Sequence, residues 1–333
     1  MTSPRLRWGI LSTANIGRAA VIPAIQASRN GTVVTIGSRE PARAKAFAEQ
    51  CHIPTHCGSY QTVLDDPAVD AVYIPLPNSL HREWTIKATE QGKHVLCEKP
   101  LAATAHECRE MDAAARANGV QLMEAFMYRF HPRTQRAIEL IRAGTVGDLR
   151  TIRSTFTFRL TKPNNIRLDG SLGGGALLDV GCYCVNVSRT MVGAEPESVQ
   201  ATATFGPTGV DLELAGLLRF AHGVVAVFDC SLTMERREWF EIGGTTGALR
   251  VGAAFLPGTG DVAIEDHRGR EAATLHPVPG AEQYRLMVEH FGDVVHGQAV
   301  LRYPATEAIA NQMVIEALYR SARLGGQPVP LAS

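Results

Sequence analysis

The sequence has no surplus of either charge and no long run of one sign. Lysine plus arginine and aspartate plus glutamate each number 33 among 333 residues, so the formal net charge is zero. Binding to a nucleic-acid backbone depends on the field of clustered basic groups, which this composition does not supply. We therefore expect no nucleic-acid partner.

Long apolar segments are also absent. No stretch approaches the roughly 20 apolar residues of a membrane span, and the first residues, M-T-S-P-R-L-R-W, lack the apolar core of a secretory signal. The seven cysteines include no C-x-x-C pair, and neither cysteine nor histidine shows the spacing of a zinc site. We expect no membrane partner, a cytoplasmic location, buried thiols without disulfides, and no metal.

Low-complexity segments, obvious repeats and long polar linkers are missing too, and what is present is a two-part pattern. Up to about residue 125, short apolar runs alternate with amphipathic stretches, which is typical of a parallel sheet covered on both faces. The predicted strands are Leu6 to Leu11, Val33 to Gly37, Ala71 to Leu76, His94 to Cys97 and Val120 to Glu124; the predicted helices are Gly17 to Ser28, Pro41 to Gln50, Ser79 to Gln91 and Ala105 to Asn118. We predict an α/β protein whose residues 1–125 form a doubly wound Rossmann domain that binds a dinucleotide.

The remainder of the chain has longer alternating runs, such as T-I-R-S-T-F-T-F-R-L, which predict antiparallel strands. A glycine-rich segment, S-L-G-G-G-A-L-L-D-V-G-C-Y-C, precedes a helical pattern, and a last helix is predicted from Ala305 to Leu324. We predict a second α/β domain over 126–333 with an open, mainly antiparallel sheet.

The turn after the first strand, S-T-A-N-I-G, is a variant of the dinucleotide fingerprint G-x-G-x-x-G. Ser12, Ala14 and Gly17 stand where the three glycines allow a tight turn, approach to the pyrophosphate and helix packing. A helix starting near Asn15 would direct backbone N–H groups and its positive dipole end towards a phosphate. A small-residue turn in any parallel sheet is the alternative interpretation.

The second strand ends in Ser38 and Arg39, where an NAD enzyme has a carboxylate for the ribose hydroxyls. A guanidinium and a hydroxyl suit a 2′-phosphate, so the sequence favours NADP(H), although Glu40 lies close enough to keep NAD(H) open. The alternative is a solvated arginine at a helix start.

Two segments lie at the carboxyl ends of predicted strands, where open α/β sheets bind ligands: A-V-Y-I-P-L-P-N-S-L-H and H-V-L-C-E-K-P-L. With the opening turn, M-E-A-F-M-Y-R-F-H-P and G-G-G-A-L-L-D-V-G-C-Y, they resemble the Gfo/Idh/MocA oxidoreductases. The sequence is most similar to the branch that contains glucose–fructose oxidoreductase, dimeric dihydrodiol dehydrogenase, NADP-dependent D-xylose dehydrogenase and sugar 3-ketoreductases. The resemblance implies a Rossmann domain, a second domain whose sheet joins subunits as a homodimer or homotetramer, and a cis peptide before Pro100.

The resemblance places the family's catalytic lysine at Lys99 and its catalytic tyrosine at Tyr183, with Asp179 at the acidic position of the substrate-binding helix. Many relatives have histidine in place of this tyrosine. Independently of family, Asp179 and Tyr183 are four residues apart on a predicted helix, so both project from one face. A tyrosine is a poor base at neutral pH because its pKa is about 10, and a nearby ammonium would lower that pKa. The alternative for Tyr183 is a ring in the core with a locally satisfied hydroxyl.

The predicted cofactor-contacting residues lie in the opening turn, at the end of the second strand and in the two strand-end segments. They are Ser12, Thr13, Ala14, Asn15, Ile16, Ser38, Arg39, Leu76, Asn78, His81, Glu98 and Lys99. Helix capping explains Asn78 equally well. Roles in the substrate pocket stay open for five further residues: Arg129, His131, Arg159, Asn164 and Arg167.

These observations predict an NADP-dependent oxidoreductase that transfers a hydride between nicotinamide and a carbinol or keto carbon of a sugar or cyclic polyol. Three alternatives stay open: reduction of a nucleotide-linked (dTDP) 3-keto-deoxysugar, NAD-dependent glycoside cleavage, and a non-catalytic dinucleotide sensor. The set of Lys99, Asp179 and Tyr183 argues against the sensor, which needs no proton-transfer group.

Overall fold

The computed structural model describes residues 5–331, which divide into two compact units. The first unit comprises 5–127 and Glu282–Ile309, and the second comprises Tyr128–Ala281 and 310–331. The sequence pattern, with its predicted limit at 125/126, does not indicate the return of Glu282–Ile309 to the first unit.

The first unit is built on a six-stranded parallel sheet. Its strands are β1 (Leu6–Leu11), β2 (Gly31–Gly37), β3 (Thr55–Cys57), β4 (Ala71–Ile74), β5 (His94–Cys97) and β6 (Leu122–Glu124), in the order β3-β2-β1-β4-β5-β6. This is the doubly wound order of a Rossmann fold, as predicted. Only β3 is absent from the prediction, because this short edge strand leaves its side chains accessible and so has no apolar run.

Helices connect the strands in both units. They are α1 (Ile22–Ala27), α2 (Pro41–Gln50), α3 (Tyr60–Asp65), α4 (Asn78–Glu90), α5 (Ala105–Ala117), α6 (Pro132–Arg142), α7 (Cys182–Val192), α8 (Gln283–Val295) and α9 (Ala305–Arg323). A π-helical turn precedes α1 at Gly17–Val21, and another precedes α7 at Leu177–Gly181. Within the first unit, Phe291 of α8 packs on Trp8 of β1 with ring centroids 5.4 Å apart.

The second unit contains a nine-stranded sheet that is open and mainly antiparallel, as predicted. Its strands are β7 (Leu149–Thr157), β8 (Ser198–Phe205), β9 (Asp211–Arg219), β10 (Val225–Ser231), β11 (Arg237–Gly244), β12 (Ala248–Gly252), β13 (Val262–His267), β14 (Thr274–Val278) and β15 (Val329–Pro330). Their order is β14-β13-β12-β11-β7-β10-β9-β8-β15, and β7 pairs with β10 in parallel. The α/β fold class is therefore confirmed.

All seven cysteines are free thiols, and six of them are buried. None of the helices within residues 5–331 is long and apolar enough to cross a membrane.

Candidate active site

The turn after β1 has a backbone conformation that side chains seldom adopt. Ser12 has a φ of 145°, in a region that is populated almost only by glycine. Ser12 stands at the first glycine position of the dinucleotide fingerprint. Its positive φ means that the serine backbone is strained there. The amide of Arg18 donates to the carbonyl of Ala14 at 3.4 Å. The amides of Asn15 and Ile16 therefore lie in the first helical turn, where backbone N–H groups have no partner within the helix and can bind an anion.

Packing does not require glycine at position 17. A Cβ there would lie 3.6 Å from Ile22 Cδ1 and 3.8 Å from Tyr73 Cε1, which are ordinary van der Waals distances. At Gly9, inside β1, a Cβ would instead lie 2.5 Å from Val63 Cγ1. Within β1, close packing therefore requires glycine at Gly9, which faces Val63 of α3.

Two arginines that follow β2, Arg39 and Arg43, both act on the hydroxyl of Tyr60. Burial raises the pKa of the Tyr60 hydroxyl, and a hydrogen bond from Arg39 and the charges of Arg39 and Arg43 oppose this shift. Ser38 is buried, and its Oγ accepts from the amide of Glu40 at 3.3 Å. Arg43 is not among the predicted site residues; its spacing of four from Arg39, in the first turn of α2, is the signal that could have indicated it.

The E-K-P segment is fixed by side chains from neighbouring strands. The Tyr73 hydroxyl donates to Glu98 Oε1 at 2.6 Å, and the Lys99 amide donates to Glu98 Oε2 at 3.3 Å. Burial, and next the charge of Glu98, raises the pKa of Tyr73 well above its usual value, so the phenol stays a donor. Glu124 accepts from the amide of Leu101 at 2.7 Å. The Lys99–Pro100 peptide bond is cis, as the resemblance implies.

His81 joins the two strand-end segments from inside the protein. Its side chain is fully buried, with Nδ1 2.9 Å from the carbonyl oxygen of Pro100 and Nε2 2.8 Å from that of Leu76. Burial lowers the pKa of His81, and the carbonyls of Pro100 and Leu76 oppose that shift. A neutral imidazole donates through only one nitrogen. Since both nitrogens face the backbone, His81 acts on the site through the two segments that it joins.

Asn78 is the first residue of α4, and the cap position of that helix belongs to Pro77. Contact of Asn78 with the cofactor and a structural role at the helix start both stay predictions.

Asp179 and Tyr183 occupy the start of the helix in the second unit that carries the glycine-rich motif. Asp179 lies in the π-helical turn and Tyr183 in the first turn of α7. Asp179 Oδ2 accepts a hydrogen bond from Arg167 Nε at 2.6 Å. The charge of Asp179, opposed by burial, raises the pKa of Arg167, and Tyr183 contributes in the same direction. The guanidinium thus lies within electrostatic reach of both predicted catalytic side chains of this unit.

The ring of Tyr183 lies in an aromatic cluster, and its side chain is buried. Ring centroids lie 5.9 Å away for Tyr128, 5.4 Å for Phe156 and 5.1 Å for Phe255. Tyr128 in turn donates to Asn186 Oδ1 at 2.6 Å. This cluster fixes the ring, so the direction of the phenol bond is set by packing.

The helix start is anchored by Asp211, which the sequence does not indicate as a functional residue. Asp211 Oδ2 accepts from the Leu177 amide at 2.7 Å, and Oδ1 accepts from the Tyr319 hydroxyl at 2.6 Å. A Cβ on Gly175, whose φ is 126°, would overlap Oδ1. Burial raises the pKa of Asp211 to about 6 although these donors lower it. Glycine at 175 is therefore required by both conformation and space.

The other pocket candidates differ in burial. His131 Nδ1 accepts from the amide of Arg133 at 3.1 Å and so caps α6, and burial together with the charge of Arg133 lowers its pKa to about 4. Arg129 is buried, whereas Arg159 and Asn164 are exposed. Within 5–331, no group of three or more His, Cys, Asp or Glu side chains is arranged to hold a metal ion.

Comparison with known proteins defines the class of protein. Residues 6–126 match the family model described as an oxidoreductase family with an NAD-binding Rossmann fold, and residues 134–250 match the C-terminal domain of GFO/IDH/MocA proteins. The chain is thus a two-domain oxidoreductase that acts on CH–OH groups, as predicted. It belongs to the Gfo/Idh/MocA family, so the resemblance is confirmed.

Relatives match over nearly their whole length. The chain is 39% identical to D-xylose 1-dehydrogenase (NADP(+)) 2 of Haloferax volcanii, over 96% of this chain and 98% of that protein. It is 34% identical to a dTDP-3,4-didehydro-2,6-dideoxy-alpha-D-glucose 3-reductase of Streptomyces antibioticus, over 97% and 99%. The structure of a 3-ketoreductase from Actinomadura kijaniata with NADP and TDP-benzene matches with a TM-score of 0.91 and 29% identity, covering 95% of this chain and 98% of that one.

Proposed function

We propose that this protein is an NADP-dependent oxidoreductase that transfers a hydride between the nicotinamide and a carbinol or keto carbon of a sugar or related cyclic polyol. The observation that carries the proposal is the placement of Asp179 and Tyr183 at one helix start beside a guanidinium, in a chain 39% identical to an NADP-dependent xylose dehydrogenase. The sequence alone left the tyrosine without a cationic neighbour in its own domain. Arg167 supplies one.

The first unit fits NADP(H). The glycine-like conformation of Ser12 and the first-turn amides suit a pyrophosphate, and Ser38, Arg39 and Arg43 suit a 2′-phosphate. The further predicted contacts lie in the same unit: Thr13, Ala14, Asn15, Ile16, Leu76, Asn78, Glu98 and Lys99. We assign His81 a positioning role, because its two nitrogens are directed at backbone carbonyls.

The nicotinamide supplies a hydride acceptor or donor when it is bound. In alcohol oxidation, Tyr183 as the phenolate accepts the hydroxyl proton while the carbon loses a hydride and the C–O bond becomes C=O. In ketone reduction, the Tyr183 phenol donates that proton. We assign Lys99 the ammonium that lowers the pKa of Tyr183, and Asp179 the acceptor of a substrate hydroxyl.

The second domain, predicted over 126–333, would bind the substrate and join subunits as a homodimer or homotetramer. An open sheet suits contact between subunits, because it has an accessible face. Along the first half of β8, buried positions alternate with accessible ones. The cytoplasmic location stays a prediction.

A second candidate reaction is reduction of a nucleotide-linked 3-keto-deoxysugar. It is favoured by the 34% identity to the dTDP-sugar 3-reductase and by the fold match to the 3-ketoreductase. Both reactions use the same proton-transfer residues, and they differ in what binds beyond the sugar ring.

A steady-state screen that follows absorbance of the reduced nicotinamide tests the proposal. NADP+ and NAD+ are each offered with aldoses, polyols and dihydrodiols, and NADPH is offered with a dTDP-linked keto sugar. Turnover with NADP+ and a free aldose supports the first reaction, and turnover of the dTDP substrate alone supports the second. Tight NADPH binding without turnover in any arm contradicts both.

A further inference from the structure

Arg167 is held by its backbone against the start of the catalytic helix. Its amide donates to Asn165 Oδ1 at 3.0 Å, and its carbonyl accepts from the Gly175 amide at 2.9 Å. A Cβ on Gly174 would lie 2.5 Å from that carbonyl oxygen. The loop therefore rests directly on the glycines that lead into Asp179, and the position of Arg167 relative to Asp179 is fixed by main-chain contacts.

The guanidinium uses only part of its hydrogen-bonding capacity. Nε donates to Asp179 Oδ2 at 2.6 Å, and Cζ lies 5.9 Å from the ring centroid of Phe158. An arginine has five N–H donors, four of them on Nη1 and Nη2. No hydrogen bond joins those two nitrogens to any residue of the described chain, and the side chain is 38% exposed. The fork is thus oriented by its inner nitrogen while its outer nitrogens stay accessible.

We propose that Arg167 contacts the substrate and determines its specificity, donating from Nη1 and Nη2 to the oxygen on the carbon next to the one that is oxidised or reduced. The proposal rests on the proposed function, because it takes Asp179 and Tyr183 as the residues at the reacting centre. Asp179 accepts from one hydroxyl and Arg167 donates to its neighbour, so the pair recognises a vicinal diol or hydroxyketone. Since the carboxylate offsets the positive charge of the guanidinium, the pair suits a neutral polyol better than an anionic sugar.

The test compares Arg167→Lys and Arg167→Met with the parent enzyme. Lysine keeps the charge and can bind Asp179 but loses the fork. We expect KM for the sugar to rise about tenfold or more in Arg167→Lys and further in Arg167→Met, with KM for NADP+ within about twofold. Parent selectivity for D-ribose over 2-deoxy-D-ribose should be lost in Arg167→Met. Arg150→Lys, in which an exposed Arg150–Asp148 pair is altered in the same way, is the matched control.

A binding measurement separates this proposal from the proposed function. D-ribose is titrated calorimetrically into NADP+-loaded protein carrying Tyr183→Phe, with Arg167 or with Arg167→Lys. Weaker binding in the double variant supports the contact whether or not the parent enzyme turns over D-ribose, and absent turnover of D-ribose by the parent counts against the proposed reaction alone. Equal binding in both proteins, no D-ribose binding in either, or a shifted pH profile of kcat with unchanged sugar KM overturns the contact.

Discussion

The hydroxyl of Tyr319 donates a 2.6 Å hydrogen bond to Asp211, a residue 108 positions earlier in the chain. The other oxygen of that carboxylate holds the amide of Leu177, two residues before Asp179. Asp211 and Tyr319 therefore fix the start of the helix that carries both predicted catalytic residues of the second unit.

The stability of the protein should depend on ionisation of Asp211. Its folded pKa of about 6, against 3.8 for a free aspartate, means that the folded state binds the proton more tightly. This contribution is full below about pH 4 and is lost as pH rises through 6; the difference corresponds to about 3 kcal/mol. Asp211→Asn cannot ionise, so its unfolding free energy should improve relative to the parent between pH 4.5 and 7.5.

Denaturant titrations across that pH range measure the difference between parent and variant. Asp148→Asn, at an aspartate whose side chain is 79% exposed, reports the effect of the same substitution at the surface. A parent–variant difference at Asp211 that does not change with pH contradicts the prediction.

Replacement of Ser12 with glycine should stabilise the protein. A φ of 145° costs about 1–3 kcal/mol in a residue with a side chain, and glycine adopts it freely, while its extra unfolded-state entropy costs about 0.5–1 kcal/mol. Ser12→Gly should therefore raise the unfolding free energy by about 1 kcal/mol. Ser12→Ala removes the same hydroxyl without relieving the backbone, and should not. Equal stability of the two variants by denaturant titration refutes the assignment of strain.

Replacing Arg39 or Arg43 should change cofactor preference. A charge-assisted bond to a phosphate contributes about 1.5–3 kcal/mol, so Arg39→Ala should weaken NADP+ binding about 10- to 100-fold and leave NAD+ binding nearly unchanged. Arg43→Ala should act in the same direction, since both guanidinium groups affect the same Tyr60 hydroxyl. Dissociation constants for both cofactors measure this, with Arg116→Ala on α5 as the surface control. Parallel losses for NADP+ and NAD+ argue against the 2′-phosphate contact.

The first unit follows closely from the sequence, because its signals are local. The run Leu6–Leu11 is apolar at the positions that the sheet buries, and the E-K-P segment marks the end of β5. The short edge strand β3 lacks such a signal. The helix that carries Arg43 is predicted from Pro41, but the effect that Arg43 shares with Arg39 on the Tyr60 hydroxyl is visible only in the structure.

The anchors of the catalytic helix do not follow from the sequence, because they join residues far apart. Nothing near Asp211 or Tyr319 indicates that the two side chains form a hydrogen bond, or that Asp211 holds the Leu177 amide. Asp179 was predictable as an acidic helix residue, but its bond to Arg167 depends on how the preceding loop folds onto Gly175. These contacts depend on which side chains are buried together and on where the chain reverses direction. The spacing of nearby residues in the sequence predicts neither.

Loss of the His81 side chain should affect turnover more than cofactor binding. Leu replaces its volume but removes the one hydrogen bond that the neutral imidazole donates to the carbonyl of Leu76 or Pro100, which costs about 1–3 kcal/mol of stability and loosens the segment around Lys99. We expect kcat to fall in His81→Leu with a nearly unchanged NADP+ dissociation constant. Thr89→Val is the matched control, because Thr89 is also buried in α4 and bonds a carbonyl, that of Ile86, within its own helix. Equal kinetics in the two variants argue against a positioning role.

Tyr183→Phe should abolish proton transfer while preserving the fold. Phenylalanine keeps the ring contacts with Phe156 and Phe255, so the unfolding free energy should change little. Loss of a general acid or base costs about 10²- to 10⁴-fold in kcat, and the NADP+ dissociation constant should stay within about twofold. Tyr128→Phe tests the neighbouring ring: its hydroxyl bonds Asn186, so that variant should lose stability and keep most of its turnover. If the two variants have similar kcat values, the hydroxyl of Tyr183 transfers no proton in the reaction, and the role of Tyr183 in the aromatic cluster is structural.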